Sequence, residues 1–133
     1  MNIKKSMIPN LNKILTEFEY NIGTDIIEIS RFKNKIFDEH EIFYKQIFTE
    51  SEILHCKKFS EPYSHFAGIF AAKEAIIKSS NTIFSIKEIK IFWNEFGRPM
   101  VSIKNIPEEN IKISISHSKL FAIATALSFS LKN

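Results

Sequence analysis

Hydrophobic positions along this chain change period several times, and each change marks an element. Over residues 66–78, FAGIFAAKEAIIK, Phe66, Phe70 and Ile77 form a helical ridge with Ile69 and Ile76 beside it. Gly68, Ala72, Ala75 and Ser79 occupy the other side. A helix apolar on one side and small on the other is packed from both, with a backbone or ligand close to the small face. Residues 20–29, YNIGTDIIEI, read as a buried β-branched strand on which Gly23, Asp25, Ile27 and Ile29 share one face, Gly23 marking a close approach. Ahead of it, Leu11, Ile14, Leu15 and Phe18 have helical spacing after Pro9, with Asn10 placed as a cap. Ser30 is placed to cap a helix, continuous or interrupted, through Phe32, Ile36, Phe43 and Ile47.

Thr49-Glu50-Ser51-Glu52 spells a capping box that starts a further helix, and Ser60-Glu61-Pro62 opens the central one. The remainder is strand-like. Ile89, Ile91 and Trp93 lead through the turn Asn94-Glu95-Phe96-Gly97-Arg98-Pro99 to a partner over residues 100–103. After a loop holding Asn105 and Pro107, the alternation of Ile111, Ile113 and Ile115 predicts a hairpin with residues 121–129. The pattern predicts an α+β fold, an antiparallel sheet packed on a central buried helix. It forms a single domain over 1–133, residues 1–19 being an N-terminal extension with a short helix.

Composition narrows the function. With 133 residues, 44% hydrophobic and only 3 Gly and 4 Pro, the chain is one globular domain. A net charge of +3 is too small to argue for nucleic acid, but it suits an acidic partner or phosphates. Cys56 stands alone, which excludes an internal disulfide or a cysteine-rich zinc site and fits a reducing cytoplasm. No run approaches the eighteen apolar residues of a membrane span, and the first residues lack the pattern of a secretory signal.

Certain charges sit where packing alone does not want them. Asp25 lies among apolar neighbours on a strand, and Lys73 falls in the middle of the apolar arc of the central helix. Glu74 and Lys78 share one edge at i, i+4, either an ordinary helix pair or part of a site. Arg31, Lys33 and Lys35 load the start of a helix with positive charge, against its dipole. They read either as a solvated face or as the mark of an external anion. His40, His55 and His65 read as structural histidines. Ser114 and Ser116 have no acid and base at triad-like positions and read as strand and turn.

In this order the motifs resemble those of holo-acyl-carrier-protein synthases, phosphopantetheinyl transferases that move 4′-phosphopantetheine from coenzyme A to a carrier-protein serine. The resemblance covers residues 22–127. Residues 23–32, GTDIIEISRF, look like the opening Gly-x-Asp-Ile-x-Glu-x-x-Arg motif, and Phe48-Thr49-Glu50-Ser51-Glu52 like the short helix start. Phe70-Ala71-Ala72-Lys73-Glu74-Ala75 with Lys78 is similar to the signature helix, Gly97-Arg98-Pro99 to the hairpin, and Ser114-Ile115-Ser116-His117-Ser118 to the Ser-x-[Ser/Thr]-His segment. The chain departs from the family pattern at Asn21, at Ile69 in place of a common arginine, and at Ser79-Ser80-Asn81-Thr82 in place of a glycine-bearing loop.

The resemblance implies the 4′-phosphopantetheinyl transferase fold, coenzyme A as substrate, magnesium held by Asp25 and Glu74, and catalysis by Asp25, Glu74 and Lys78. It further implies coenzyme contacts from Lys73, Lys78, Arg98 and His117, and docking of an acidic acyl carrier protein on Arg31, Lys33 and Lys35. A homotrimer with sites between subunits follows from the same resemblance. Fatty-acid synthesis is the implied setting. The alternatives are a polyketide or peptide-synthesis carrier, or a module that binds coenzyme or carrier without turnover.

Overall fold

A computed structural model describes residues 11–132 of the chain. Helix α1 (Leu11–Glu17) runs directly into strand β1 (Phe18–Glu28). Phe18 therefore belongs to the strand, paired with Leu131, and does not close the helix. Asn10, the expected cap, and the side chains of Ile14 and Leu15 lie outside what is described. Next come the one-turn α2 (Ser30–Lys33), a 3-10 turn (Phe37–Glu39), α3 (Glu41–Ile47), α4 (Glu50–Lys57) and the central α5 (Tyr63–Ser79). A second 3-10 turn (Ile86–Glu88) leads to β2 (Ile89–Trp93), β3 (Pro99–Ile103), β4 (Ile106–Pro107), β5 (Ile111–His117) and β6 (Phe121–Leu131). The strands form two antiparallel sheets, ordered β1-β6-β5 and β2-β3-β4. No helix among the described residues is long and apolar enough to cross a membrane.

Helix α5 organises both layers. Its small face lies on β1 and β6, where Ala72 and Ala75 are fully buried opposite the inward residues Ala122, Ala124 and Ala126. Gly23 is the closest approach. A Cβ built on it would stand 2.0 Å from the carbonyl oxygen of Ala75 and 2.8 Å from the amide nitrogen of Ser79, both backbone atoms that cannot turn aside. Gly23→Ala is therefore expected to cost about 3 kcal/mol or more, read as a shift in the urea midpoint. A loss below about 1 kcal/mol would contradict that packing. At Gly68 the nearest atom is a methyl of Ile115 at 2.9 Å, a side chain on an edge strand, so the same change there costs less.

On its other side α5 packs into an aromatic core. Phe66 lies between Phe37, Tyr44 and Phe48, with ring centroids 4.7 Å from Tyr44 and 4.9 Å from Phe48. The single proton of the Tyr44 hydroxyl lies between the carbonyls of Lys35 at 2.6 Å and Phe32 at 3.0 Å, tying the segment between α2 and α3 to the core. That segment gives the expected helix its interrupted form, and it corrects the reading of Ser30 as the cap. Ser30 is the first helical residue, makes no capping bond, and the helix ends at Lys33. Arg31, Lys33 and Lys35 thus do not oppose the dipole of a long helix. The Thr49 capping box is present, with Thr49 Oγ1 accepting from the Glu52 amide and Glu52 Oε1 accepting from the Thr49 amide. At α5, Pro62 occupies the N-cap position, and the Glu61 carboxylate accepts from the amides of Tyr63 and Ser64. The expected loop at Asn105 is a two-residue hairpin between β3 and β4, with Lys104 and Asn105 both at positive φ, as a type I′ turn requires.

Candidate functional site

Asp25 is on the inward face of β1, beside the glycine that admits α5, and its side chain is 17% exposed. The register of β1 places Glu28 out to solvent and Asp25 inward, so this carboxylate is presented to α5 by the strand itself. From α5, Lys78 reaches across and donates to Asp25 Oδ1 at 3.1 Å and to the Thr24 carbonyl at 2.9 Å. Its i, i+4 neighbour is thus not the partner it chooses. One turn earlier, Glu74 and Phe70 join Asp25 and Arg31 in lining an open pocket of about 310 Å³. The Arg31 guanidinium lies 5.0 Å from the Phe70 ring centroid, so a cation closes one side of a pocket whose other polar groups are carboxylates.

That donor set suits a hard cation. Two carboxylates converge on one pocket, and among the described residues no group of three or more His, Cys, Asp or Glu could hold a metal ion alone. An ion bound there must take the rest of its oxygen shell from water and phosphate, which is how magnesium is usually held.

Lys73 is placed elsewhere. Its ammonium is fully buried, donates to Glu52 Oε1 at 2.7 Å and to the Ile47 carbonyl at 2.8 Å, and lines none of the pockets described here. Burial pushes its pKa down, and the Glu52 carboxylate pulls it back up. Lys33 is exposed, while Lys35 folds back over the Phe43 ring at 4.5 Å.

A second and larger cleft, of about 860 Å³, lies on the opposite face of α5. Helical spacing of roughly 100° per residue puts His65, Gly68 and Ile69 away from Phe70 and Glu74. The two hollows share no lining residue. The larger one receives Arg98 and His117, the two remaining residues expected at a coenzyme site. Arg98 is presented by the β2–β3 turn, where Asn94 Oδ1 accepts from the amides of Phe96 and Arg98 and Gly97 adopts a φ of 77°. His117 ends β5, held by a turn in which the Ser118 hydroxyl accepts from the Phe121 amide. His55 and His65, expected to be structural, also line this cleft. Of the residues at the family departures, Ile69 is buried, and Ser79 Oγ donates to the Ile76 carbonyl and lies 2.7 Å from Ser128 Oγ.

Comparison with known proteins gives a consistent result. The model of the 4′-phosphopantetheinyl transferase superfamily matches residues 21–126. A holo-[acyl-carrier-protein] synthase of Caldicellulosiruptor bescii is 40% identical over 119 residues, spanning 81% of this chain and 96% of that one. One of Clostridium tetani is 40% identical over 117 residues, spanning 80% and 92%. Among solved structures, a holo-(acyl-carrier-protein) synthase of Bacillus anthracis in complex with CoA (3′,5′-ADP) superposes with a TM-score of 0.69 at 31% identity, covering 83% of this chain and 96% of that chain. The Helicobacter pylori enzyme in complex with coenzyme A gives 0.67 at 29%, covering 82% and 99%.

Proposed function

The chain belongs to the 4′-phosphopantetheinyl transferase superfamily, and we propose that it transfers 4′-phosphopantetheine from coenzyme A to a serine of an apo acyl carrier protein, in fatty-acid synthesis. The observation that carries the reading is the convergence of Asp25, Glu74 and Lys78, from a strand and a helix pressed together at Gly23. The serine oxygen forms a bond to the phosphorus that bears pantetheine. The bridging P–O bond of the pyrophosphate breaks, and adenosine 3′,5′-bisphosphate leaves with the electron pair. Glu74 accepts the serine proton through a water, and the Lys78 ammonium faces the charge gathering on the phosphates. Asp25 and Glu74 would hold magnesium, and the chemistry a bound magnesium ion supplies there is neutralisation of phosphate charge.

The coenzyme occupies the cleft with Arg98 and His117. Because that cleft and the carboxylate pocket lie on opposite faces of α5, a complete site draws them from neighbouring copies in a homotrimer. The outward face of β1 and β6 supports such an assembly. Ile22 opposite Leu127 and Ile26 opposite Ile123 are paired across the strands and exposed, Ile22 by 71% and Ile26 by 64%. Arg31, beside the carboxylates, and Lys33, exposed on α2, give an acidic carrier a cationic approach to the site, with Lys35 behind them. Lys73 is assigned to the scaffold. The buried thiol of Cys56, its pKa raised by burial, suits the reducing cytoplasm where we place the protein.

The test is the intact mass of an apo acyl carrier protein incubated with this protein, coenzyme A and magnesium. A gain of one phosphopantetheine, abolished by a chelator and restored by added magnesium, is the expected result. A carrier from a polyketide or peptide synthase in parallel identifies the client class. No gain on any carrier would overturn the reading.

A further inference from the structure

The larger cleft contains an array of five rings, of which only His117 has been given a role above. His55 stacks on Trp93 with centroids 3.7 Å apart and planes 9° off parallel, and its edge meets Phe59 at 5.5 Å. Phe59 in turn stacks on His65 at 3.6 Å and 14°, and His65 stands edge-on to His117 at 5.7 Å. The order is Trp93, His55, Phe59, His65, His117. Residues from α4, α5, β2, β5 and the segment between the two helices thus meet in one wall.

Stacking occupies ring faces and leaves the in-plane nitrogens for other work. Among the described residues, neither His55 nor His65 has a hydrogen-bond partner on its ring nitrogens, whereas His117 Nδ1 is 3.4 Å from the Ser118 carbonyl. Every charged or protonatable side chain lining the cleft is basic, namely His55, His65, His117, Arg98 and Lys112, with no carboxylate among them. A wall of held imidazoles with free nitrogens in a hollow free of acids is arranged for an anion that brings its own acceptors.

We infer that His55 and His65, beside His117, form a proton-linked phosphate site, the imidazoles of His55 and His65 taking up protons as a phosphate group of the coenzyme enters the cleft. This rests on the reading that the coenzyme occupies that cleft. The free state is prepared for such uptake. The pKa of His55 is lowered by burial, then by the positive charges of His65 and Lys58. That of His65 is lowered by burial and by His117, with Glu61 opposing. Arg98 and Lys112 line the same cleft from the facing elements. Both rings are therefore neutral near pH 7. A phosphate reverses the sign of the local field, so the bound pKa lies above the free one and affinity rises as pH falls between them.

Calorimetry of the full chain with coenzyme A at pH 6 and pH 8, in buffers of different ionisation enthalpy, reads both affinity and proton uptake. Binding about tenfold tighter at pH 6, with net uptake of protons, is expected. His65→Phe keeps the stack on Phe59 and should flatten the pH profile, as should His55→Phe. Because uptake is measured on the unaltered protein, misfolding of a variant does not decide the matter. Adenosine 3′,5′-bisphosphate and 3′-dephospho-coenzyme A in parallel separate the 3′-phosphate from the pyrophosphate as the group recognised. Binding without proton uptake or pH dependence would overturn the inference and leave the coenzyme reading standing. No binding at either pH would overturn both.

Discussion

Replacing Glu74 by glutamine is expected to lower the transfer rate roughly 10²–10⁴-fold, the scale for loss of a positioned acid–base group. The substitution keeps the shape of a half-buried side chain that the structure places at the edge of an open pocket, so stability should change by no more than about 0.5 kcal/mol. An active Glu74→Gln protein, with carrier modified at the original rate, would remove Glu74 from the mechanism. The same variant also tests where the site is completed. Mixed with an Arg98→Ala/His117→Ala protein under conditions that exchange subunits, it should regain activity. About a quarter of the interfaces in a random mixture then join an intact cleft to an intact carboxylate pocket. If one protomer supplied both halves, no mixture of the two would work.

Much of this geometry was legible in the chain. The inward position of Asp25 followed from strand alternation, and the small face of α5 announced the close contact that Gly23 makes. The two hairpins were readable from period and turn residues. Three things were not. The first helix stops at Lys33 and a new one starts only at Glu41, but the apolar rhythm of Phe32, Ile36, Phe43 and Ile47 runs through the interruption. The turn at Lys104 and Asn105 lacks the glycine that usually marks a type I′ hairpin. His55 and His65 sit on different helices, and only the packing of α4 against α5 brings them onto one wall. A usable signal existed for Lys73: a cation in an apolar arc demands a buried partner, and the capping-box acid Glu52 was a candidate for it.

That pair carries the largest expected effect on stability. Both side chains are fully buried, and Glu52 does more than neutralise Lys73. Its Oε2 accepts from the Ile91 amide at 2.7 Å and its Oε1 from the Thr49 amide at 2.8 Å, so one carboxylate fastens α4, α5 and β2 together. Removing one partner of a buried pair costs about 3–5 kcal/mol, and Glu52→Ala should lie at or above the upper end because it also strips two amides of their acceptor. Lys73→Met, which leaves the carboxylate with both amides, should cost less.

The loss in Glu52→Ala has a definite pH dependence. Burial already holds the Lys73 pKa below the ordinary lysine value, and without Glu52 the chief opposing pull is gone. The unfolded chain then binds more protons than the folded one between that lowered pKa and the usual lysine range. Stability therefore rises with pH across this window, and the deficit is greatest below it. Urea unfolding from pH 6 to pH 10 should show the Glu52→Ala midpoint climbing towards that of the unaltered protein. A deficit independent of pH would mean that the lost amide bonds and the cavity, not the stranded ammonium, dominate the cost. A double replacement of Glu52 and Lys73 by leucine and methionine separates these terms. It should recover part of the charge cost but not the Ile91 hydrogen bond, leaving the double variant less stable than the original chain.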